Sequence, residues 1–370
     1  MSRDNRKKMR KKELPSPKEL KKEIQSHPSH LEFIQKTRSD LNAILSGNDS
    51  RTVLIVGPCS IHDVASAKDY AVKLKKFSEE VSDKFLIIMR VYFAKPRTTT
   101  GWKGILYDPY VDTSHDVENG IRWTRQLLVD LAEMKIPIAA EILDPLTAHY
   151  FSDLITWGCI GARTAESQIH REIASGLPMP IGFKNNTDGN AQIAVDGAYC
   201  ASTPHTFIAI NDEGKLCSIV TEGNKNCHIV LRGGVETTNY DPHSILKTTK
   251  KLEEAGINKK LIIDCSHDNS KQGHDEQIVV FQSVIHQIIE GNKSIAGLIL
   301  ESHLIAGRQE IPFEGLDTEI EYGKSITDPC LDWETTKKLI QWGYDRMNKE
   351  NEIRGKEFLS TKHASSCLSN

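Results

Sequence analysis

Eight short apolar runs recur along the chain, and each leads into a polar or charged residue. They are VLIVGPC to Cys59, LIIMR to Arg90, IPIAAE to Glu141, CIGAR to Arg163, PIGFK to Lys184, HIVLR to Arg232, LIIDCSH to His267 and LILE to Glu301. Runs that are apolar at consecutive positions and bounded by turn residues predict strands buried on both faces of a parallel sheet. Between them lie segments with apolar residues at helical spacing, such as VASAKDYAVKLKKFSEEV, VENGIRWTRQLLVDLAEM, HSILKTTKKLEEAG and QIVVFQSVIHQIIEG. Several stop before Gly or Asn, as helices tend to. Eight strand-helix repeats predict an α/β fold, the (β/α)8 TIM barrel, whose active site is built by the loops after the C-terminal strand ends.

Three stretches fall outside that repeat. Residues 1–50 precede the first strand run; KELPSPKELKKEI predicts a helix from Pro17, and HLEFIQKTRSDLNAILSG a second one closed by Gly. This extension is too short and too charged for a core of its own, so it is expected to pack on the barrel or on a neighbouring subunit. Between Lys184 and Arg232 two extra runs, HTFIAIN and LCSIVTEG, joined by DEGK, predict an antiparallel hairpin over about 205–220, inserted outside the barrel count. The catalytic barrel is expected over 51–347, and the composition of 348–370, ending in STKHASSCLSN, predicts a disordered tail.

A hydrophobic content of 38% against 26% charged residues provides ample core for one large domain. No apolar stretch is long enough to span a bilayer, and no signal-peptide core follows the basic opening, so a cytoplasmic protein without membrane contact is expected. A net charge of only −3, with acidic residues close behind the basic opening, argues against nucleic acid as a partner. None of the eight cysteines forms a CxxC pair; Cys159, Cys200, Cys217, Cys227 and Cys265 read as reduced packing residues.

Cys59, His267, Glu301 and Asp328 are all metal-ligand types, and the first three follow strands 1, 7 and 8, which adjoin when a barrel closes. Such a mixed S, N, O, O set suits Zn, Fe, Mn or Co. Asp328, in the loop SITDPC, is the weakest of the four on spacing alone, and His274 is a competing ligand. A second group, Arg90, Lys95, Arg97, Arg163, Lys184 and Arg232, collects cations at the same end of the barrel. Buried cations need partners, so a small, highly anionic ligand carrying phosphate or carboxylate is expected. Lys184 also leaves open a Schiff-base aldolase chemistry. A non-catalytic barrel that binds metal and anions is the remaining alternative.

The motifs that hold these residues are GPCSIHD, MRVYFAKPRTTTGWKG, GARTAESQIHRE, GFKNNTDG, HIVLRGG, DCSHDNSKQ, ESHLIAGRQ and SITDPC, in that order. Over residues 51–335 the chain thereby resembles the class I 3-deoxy-D-arabino-heptulosonate 7-phosphate (DAHP) synthases, the phospho-2-dehydro-3-deoxyheptonate aldolases. The resemblance implies condensation of phosphoenolpyruvate with erythrose 4-phosphate in the first step of the shikimate pathway. It also implies one divalent ion per subunit, Mn2+ or Fe2+ foremost, and a homodimer or homotetramer with the N-terminal arm at a subunit contact. Carried over by motif, it makes Cys59, His267, Glu301 and Asp328 metal ligands. Arg90, Lys95, Glu141, Ala162 (through its amide), Arg163, Lys184 and Arg232 become phosphoenolpyruvate contacts, and Arg97 and Thr98 erythrose 4-phosphate contacts. Ala94 and Ala165 depart from the usual Glu and Thr without touching a contact position. Family members are often inhibited by an aromatic amino acid. Asp144 matches a regulatory position, whereas Ala148 and Pro178 depart from the residues usual in phenylalanine-sensitive members, so tyrosine, phenylalanine, tryptophan or no effector stay open.

Overall fold

The computed structural model describes residues 11–271, 273–311 and 319–366. After α1 (Pro17–Glu23) and α2 (Pro28–Ser46), strands and helices alternate: β1 (Thr52–Gly57), α3 (Val64–Glu80), β2 (Phe85–Arg90), α4 (Val117–Glu133), β3 (Ile138–Glu141), α5 (Ala148–Phe151), β4 (Trp157–Ile160), α6 (Gln168–Gly176), β5 (Ile181–Lys184) and α7 (Ala191–Ala201). A hairpin, β6 (His205–Ile210) and β7 (Leu216–Thr221), interrupts the series before β8 (His228–Leu231), α8 (Pro242–Glu254), β9 (Leu261–Asp264), α9 (Glu276–Ile289), β10 (Ile295–Glu301) and α10 (Trp333–Ser366). Eight parallel strands close in the order β1-β10-β9-β8-β5-β4-β3-β2, while β6 and β7 pair antiparallel as a separate two-stranded sheet. This is the (β/α)8 barrel that the sequence pattern predicts, with the extra hairpin outside it.

The side-chain period of two in a strand divides each barrel strand between two cores. Leu54 and Val56 of β1, Ile87 and Met89 of β2, and Ile263 of β9 belong to the shell between sheet and helices. Their neighbours Val53, Ile55, Ile88 and Ile262 pack inside the barrel, with Trp157 and Cys159 of β4 and Ile299 of β10. Trp157 fits there because Gly182 on the next strand has no side chain: a Cβ at Gly182 would lie 2.6 Å from the indole. The N-terminal face is closed by α2, whose Leu41, Ile44 and Leu45 join the interior cluster. Arg38 of α2 donates to the carbonyl of Ile155 ahead of β4, and Asn258 ahead of β9 donates to the carbonyl of Leu45. The extension thus packs on its own barrel.

Other features differ from the sequence pattern. β1 stops at Gly57, two residues before Cys59, and β9 at Asp264, three before His267, so both functional groups stand on loops. His267 opens a 3-10 turn with φ of 57°, so no strand period relates it to Cys265, which packs in the outer shell. Cys200 and Cys217 are half-exposed rather than core. The tail expected from residue 348 is helical as far as Ser366, because its run of Lys, Glu, Arg and Leu favours helix despite being polar. Residues 1–10 and 367–370 lie outside the described residues. Among the described residues no helix is long and apolar enough to cross a membrane.

A polar contact sits deep in this interior. Trp157 Nε1 donates to His228 Nε2 over 3.0 Å, and His228 Nδ1 faces the carbonyl of Asn226 at 3.1 Å, an arrangement that needs a neutral imidazole. Burial lowers the His228 pKa from 6.5 to about 4. As pH falls the unfolded chain therefore takes up the proton first, so the stability from the neutral ring is full above pH 6.5 and is lost as pH falls through 6.5 toward 4. At pH 5 the loss amounts to about 2 kcal/mol, one pKa unit being worth about 1.4 kcal/mol. Urea denaturation between pH 7 and pH 5 is expected to show it, and His228→Gln to flatten that dependence.

Candidate active site

A cavity of about 600 Å³ opens at the C-terminal end of the barrel strands. Its lining includes Lys95, Arg97, Thr98, Glu141, Ala162, Arg163, Lys184, Arg232, His267, Glu301 and Asp328, contributed by seven of the eight strand ends and by the loop that holds Asp328. The residues singled out in the sequence therefore converge, except that Cys59 and Arg90 lie behind the cavity wall, each fully buried.

One corner collects the soft and acidic donors. Single ligand atoms of Cys59, Glu301 and Asp328 all lie within 4.8 Å of one another. Order around the barrel explains the first pair, since β1, carrying the Cys59 loop, is hydrogen-bonded to β10, which ends at Glu301. His267 falls outside that spacing from the full set, but its Nε2 stands 3.9 Å from Glu301 Oε1. Its other nitrogen is occupied: Nδ1 lies 2.7 Å from Ser266 Oγ and 3.0 Å from Asp264 Oδ2. Holding Nδ1 in this way turns Nε2 toward the donor corner, as is usual for a ligating imidazole. His274 lines the cavity but pairs with Asp275. A thiol, two carboxylates and an imidazole edge fit a divalent transition ion.

Cations surround these donors. Lys95 Nζ donates to Cys59 Sγ at 2.8 Å and to Asp328 Oδ2 at 2.9 Å. Lys95 in turn holds the Asp328 carboxyl far below the usual range. Burial, with the Glu301 charge adding to it, pushes the Cys59 thiol up to about 12. A thiolate there consequently needs more positive charge than Lys95 and Arg90 supply, and a divalent ion meets that need. Arg90 donates through Nη2 to Glu301 Oε1 at 2.7 Å and through Nε to the carbonyl of Pro58 at 3.0 Å.

Across the cavity the arrangement suits an anion. Lys184 Nζ donates to Asp264 Oδ2 at 2.8 Å, and Arg232 pairs with Asp268. Arg163 Nε donates to Thr98 Oγ1 at 3.0 Å, which ties the loop after β2 to the loop after β4. Among the described residues, Arg90 Nη1 and Arg232 Nε are buried without a partner. Buried donors of this kind are costly unless a ligand accepts from them. Glu141 Oε1 reaches so close to Gly161 that a Cβ there would be 2.2 Å away, so the glycine makes room for the carboxylate.

Asp264 is the group that sequence reasoning missed. It is fully buried, and although burial alone would raise its pKa, His267 and Lys184 hold it well below the carboxylate range. Its only sequence signal is its place at the end of the LIID run, where the following CSH drew attention to His267. Gln277 was missed too: Glu301 N donates to its Oε1 at 2.8 Å, and its Nε2 donates to the Glu301 carbonyl at 3.1 Å.

The three positions read as regulatory lie away from the donor corner. Asp144 Oδ2 accepts from Tyr107 at 3.2 Å; Ala148 begins α5 and is buried; Pro178 is exposed just after α6. The hairpin base joins α6 through Ser175 Oγ and Thr221 Oγ1 at 2.6 Å. At its tip Lys18 of α1 bonds Glu213 and Lys21 bonds Asp212, while Tyr150 of α5 donates to the carbonyl of Pro15 at 2.7 Å. Hairpin, N-terminal helix and α5 thus meet at one junction.

The sequence profile of the DAHP synthetase I family matches residues 24–341. A Tyr-sensitive phospho-2-dehydro-3-deoxyheptonate aldolase of Escherichia coli (strain K12) is 43% identical over 341 residues, which are 92% of this chain and 95% of that protein. The phenylalanine-inhibited enzyme of Saccharomyces cerevisiae is 45% identical over 314 residues, 84% of this chain and 85% of that protein. The solved phospho-2-dehydro-3-deoxyheptonate aldolase of Francisella tularensis superposes with a TM-score of 0.88 at 44% identity, covering 92% of this chain and 98% of that one.

Because Asp264 pairs with the buried Lys184 ammonium and helps orient His267, Asp264→Asn is expected to destabilise the fold by about 3 kcal/mol, the cost of breaking a buried pair by removing one partner. Chemical denaturation measures it; a loss below about 1 kcal/mol, the range of exposed pairs, is the contrary result.

Proposed function

The chain belongs to the DAHP synthetase I family, and on that premise we propose that it joins phosphoenolpyruvate to erythrose 4-phosphate with water, giving DAHP and inorganic phosphate in the first step of the shikimate pathway. The observation that carries this reading is the cavity itself, where a wall of Lys and Arg side chains faces a corner of metal-ligand atoms. One small, highly charged acid and one phosphorylated aldehyde match those two halves.

Cys59, Glu301 and Asp328, with His267 as fourth donor, would hold a divalent ion, which would supply Lewis acidity toward an aldehyde oxygen. Arg163, Lys184 and Arg232, with Lys95, Arg90 and the Ala162 amide, bind the phosphate and carboxylate of phosphoenolpyruvate and fix C3 beside the aldehyde carbon. Arg97 and Thr98 bind the phosphate of erythrose 4-phosphate. As the bond from C3 to the aldehyde carbon forms, the carbonyl π pair moves onto the aldehyde oxygen, which takes up a proton to become a hydroxyl, and C2 is left electron-poor; water adds at C2, and the C2–O bond to phosphate then breaks as the C2 hydroxyl loses its proton to give the ketone. Glu141 takes the water proton on Oε1. Lys184 is less suited to that task, because its ammonium is already bonded to Asp264.

The same ion pair weighs against a Schiff-base aldolase, which needs Lys184 as a free amine. Feedback control is part of this proposal. An aromatic amino acid would bind where α1, α5 and the hairpin meet, near Asp144, Ala148 and Pro178, with homodimer or homotetramer contacts through the N-terminal arm. The names of the Tyr-sensitive and phenylalanine-inhibited relatives support such control.

Purified protein with Mn2+ is expected to consume phosphoenolpyruvate only when erythrose 4-phosphate is present. Borohydride should trap no adduct on Lys184. Binding of phosphoenolpyruvate without turnover, or turnover that borohydride abolishes, contradicts the proposal. Cys59→Ser is expected to lower Mn2+ affinity by at least roughly a hundredfold while the chain stays folded, as read by equilibrium dialysis and circular dichroism. For regulation, Asp144→Asn should raise the inhibition constant of the effective amino acid and leave most of kcat intact. Unchanged curves with phenylalanine, tyrosine and tryptophan would contradict that part.

A further inference from the structure

Beneath the anion wall, the barrel interior holds a polar stack of Arg90, Tyr92 and Cys159. The Arg90 guanidinium carbon lies 3.6 Å from the centroid of the Tyr92 ring. Tyr92 is itself fixed from the far side, its hydroxyl 3.0 Å from Cys159 Sγ on β4. All three side chains are almost inaccessible to water, at 0% for Arg90, 1% for Tyr92 and 0% for Cys159. The edges of the guanidinium are held by Glu301 and by the carbonyls of Pro58 and Cys59, and among the described residues Nη1 has no partner. One face of the group is covered by the Tyr92 ring.

We propose that Tyr92 is a positioning residue for the reaction: its ring restrains the Arg90 guanidinium behind the cavity wall so that the unpartnered Nη1 stays available to the substrate anion. This rests on the reading of the cavity as the phosphoenolpyruvate site. A buried guanidinium with one face uncovered could rotate about its last side-chain bonds, and the free Nη1 would lose its direction. The electron-rich face of an aromatic ring restrains that rotation and offsets part of the cost of burying the charge, without spending any of the N–H donors. The interior cluster of Ile88, Ala139 and Trp157 keeps the ring itself from tilting. Leu or Met would fill comparable space there, so the choice of an aromatic ring is what needs explaining. Tyr92 falls inside the motif MRVYFAKPRTTTGWKG and Cys159 opens the CIGAR run, and neither is singled out there for a role of its own.

The test uses the full-length protein and direct binding of phosphoenolpyruvate, followed by KM and kcat for both substrates. Tyr92→Leu is expected to weaken phosphoenolpyruvate binding on the order of tenfold, the scale of a desolvated cation–π contact, and to leave the KM for erythrose 4-phosphate unchanged. Tyr92→Phe keeps the ring and should restore binding to near wild type. Fluorinated phenylalanines at position 92 keep the shape but drain charge from the ring face, so binding should weaken in step with fluorine number. That series also decides the matter if the leucine variant does not fold. Equal binding across the fluorinated series, or a phenylalanine variant as weak as the leucine one, overturns the proposal. Wild-type protein that fails to bind phosphoenolpyruvate sinks the functional reading first, and the positioning role with it; a wild type that binds, with variants that match it, sinks the positioning role alone.

Discussion

The architecture of the site depends on one buried ion pair, Arg90 with Glu301, at side-chain exposures of 0% and 2%. Arg90 ends β2 and Glu301 ends β10, and β1 lies between those two strands. The guanidinium also donates to the carbonyls of Pro58 and Cys59, so a single side chain ties together three adjacent strand ends. Taking such a pair out of water is expensive, and breaking one by removing a partner typically costs about 3–5 kcal/mol. Its presence in the barrel is easier to understand as geometry than as stability. The pair fixes the thiol-bearing loop relative to a carboxylate, and those two groups must keep a set distance if they are to share an ion.

Charge explains the rest of the cavity. Lys95, Lys184 and Arg232 each already carry a carboxylate partner, Asp328, Asp264 and Asp268 respectively. The wall is therefore a set of half-satisfied cations whose remaining donors face inward. Such a wall is preorganised: its charges are held by fixed partners before any ligand arrives, so little reorganisation is needed as charge develops. Against the effect of burial, the neighbouring Cys59 and Asp328 groups raise the Lys95 pKa well above the ordinary lysine value. A site of this construction favours binding and electrostatic stabilisation over nucleophilic attack by Lys184.

Much of this was legible in the sequence because strand runs that are apolar on both faces are distinctive, and because reactive residues in a barrel collect at one end. The hairpin was legible from DEGK between two alternating runs. The partners were harder. Asp264 and Gln277 do not stand out as a ligand set or as a motif, and their importance comes from neighbours far away in sequence, Lys184 and Glu301. Tyr92 and Cys159 were hidden inside apolar runs, where an aromatic ring and a thiol read as packing. The position of His267 in a left-handed turn was also invisible, since a positive φ at a non-glycine residue follows from surrounding contacts and not from local preference. The terminal helix failed for the opposite reason: a polar composition masked good helix formers.

The plug formed by α2 has a consequence for how the chain is made. Leu41, Ile44 and Leu45 leave the ribosome early, yet the interior cluster they join includes Ile262, Ala296 and Ile299, which emerge more than two hundred residues later. During synthesis the apolar face of this helix has no finished floor to close, because a barrel lacks an interior until its last strand meets its first. Contacts so distant in sequence are slow to form, and an exposed amphipathic helix is meanwhile free to associate with other partial chains. The nascent protein thus carries its stopper before it has a vessel.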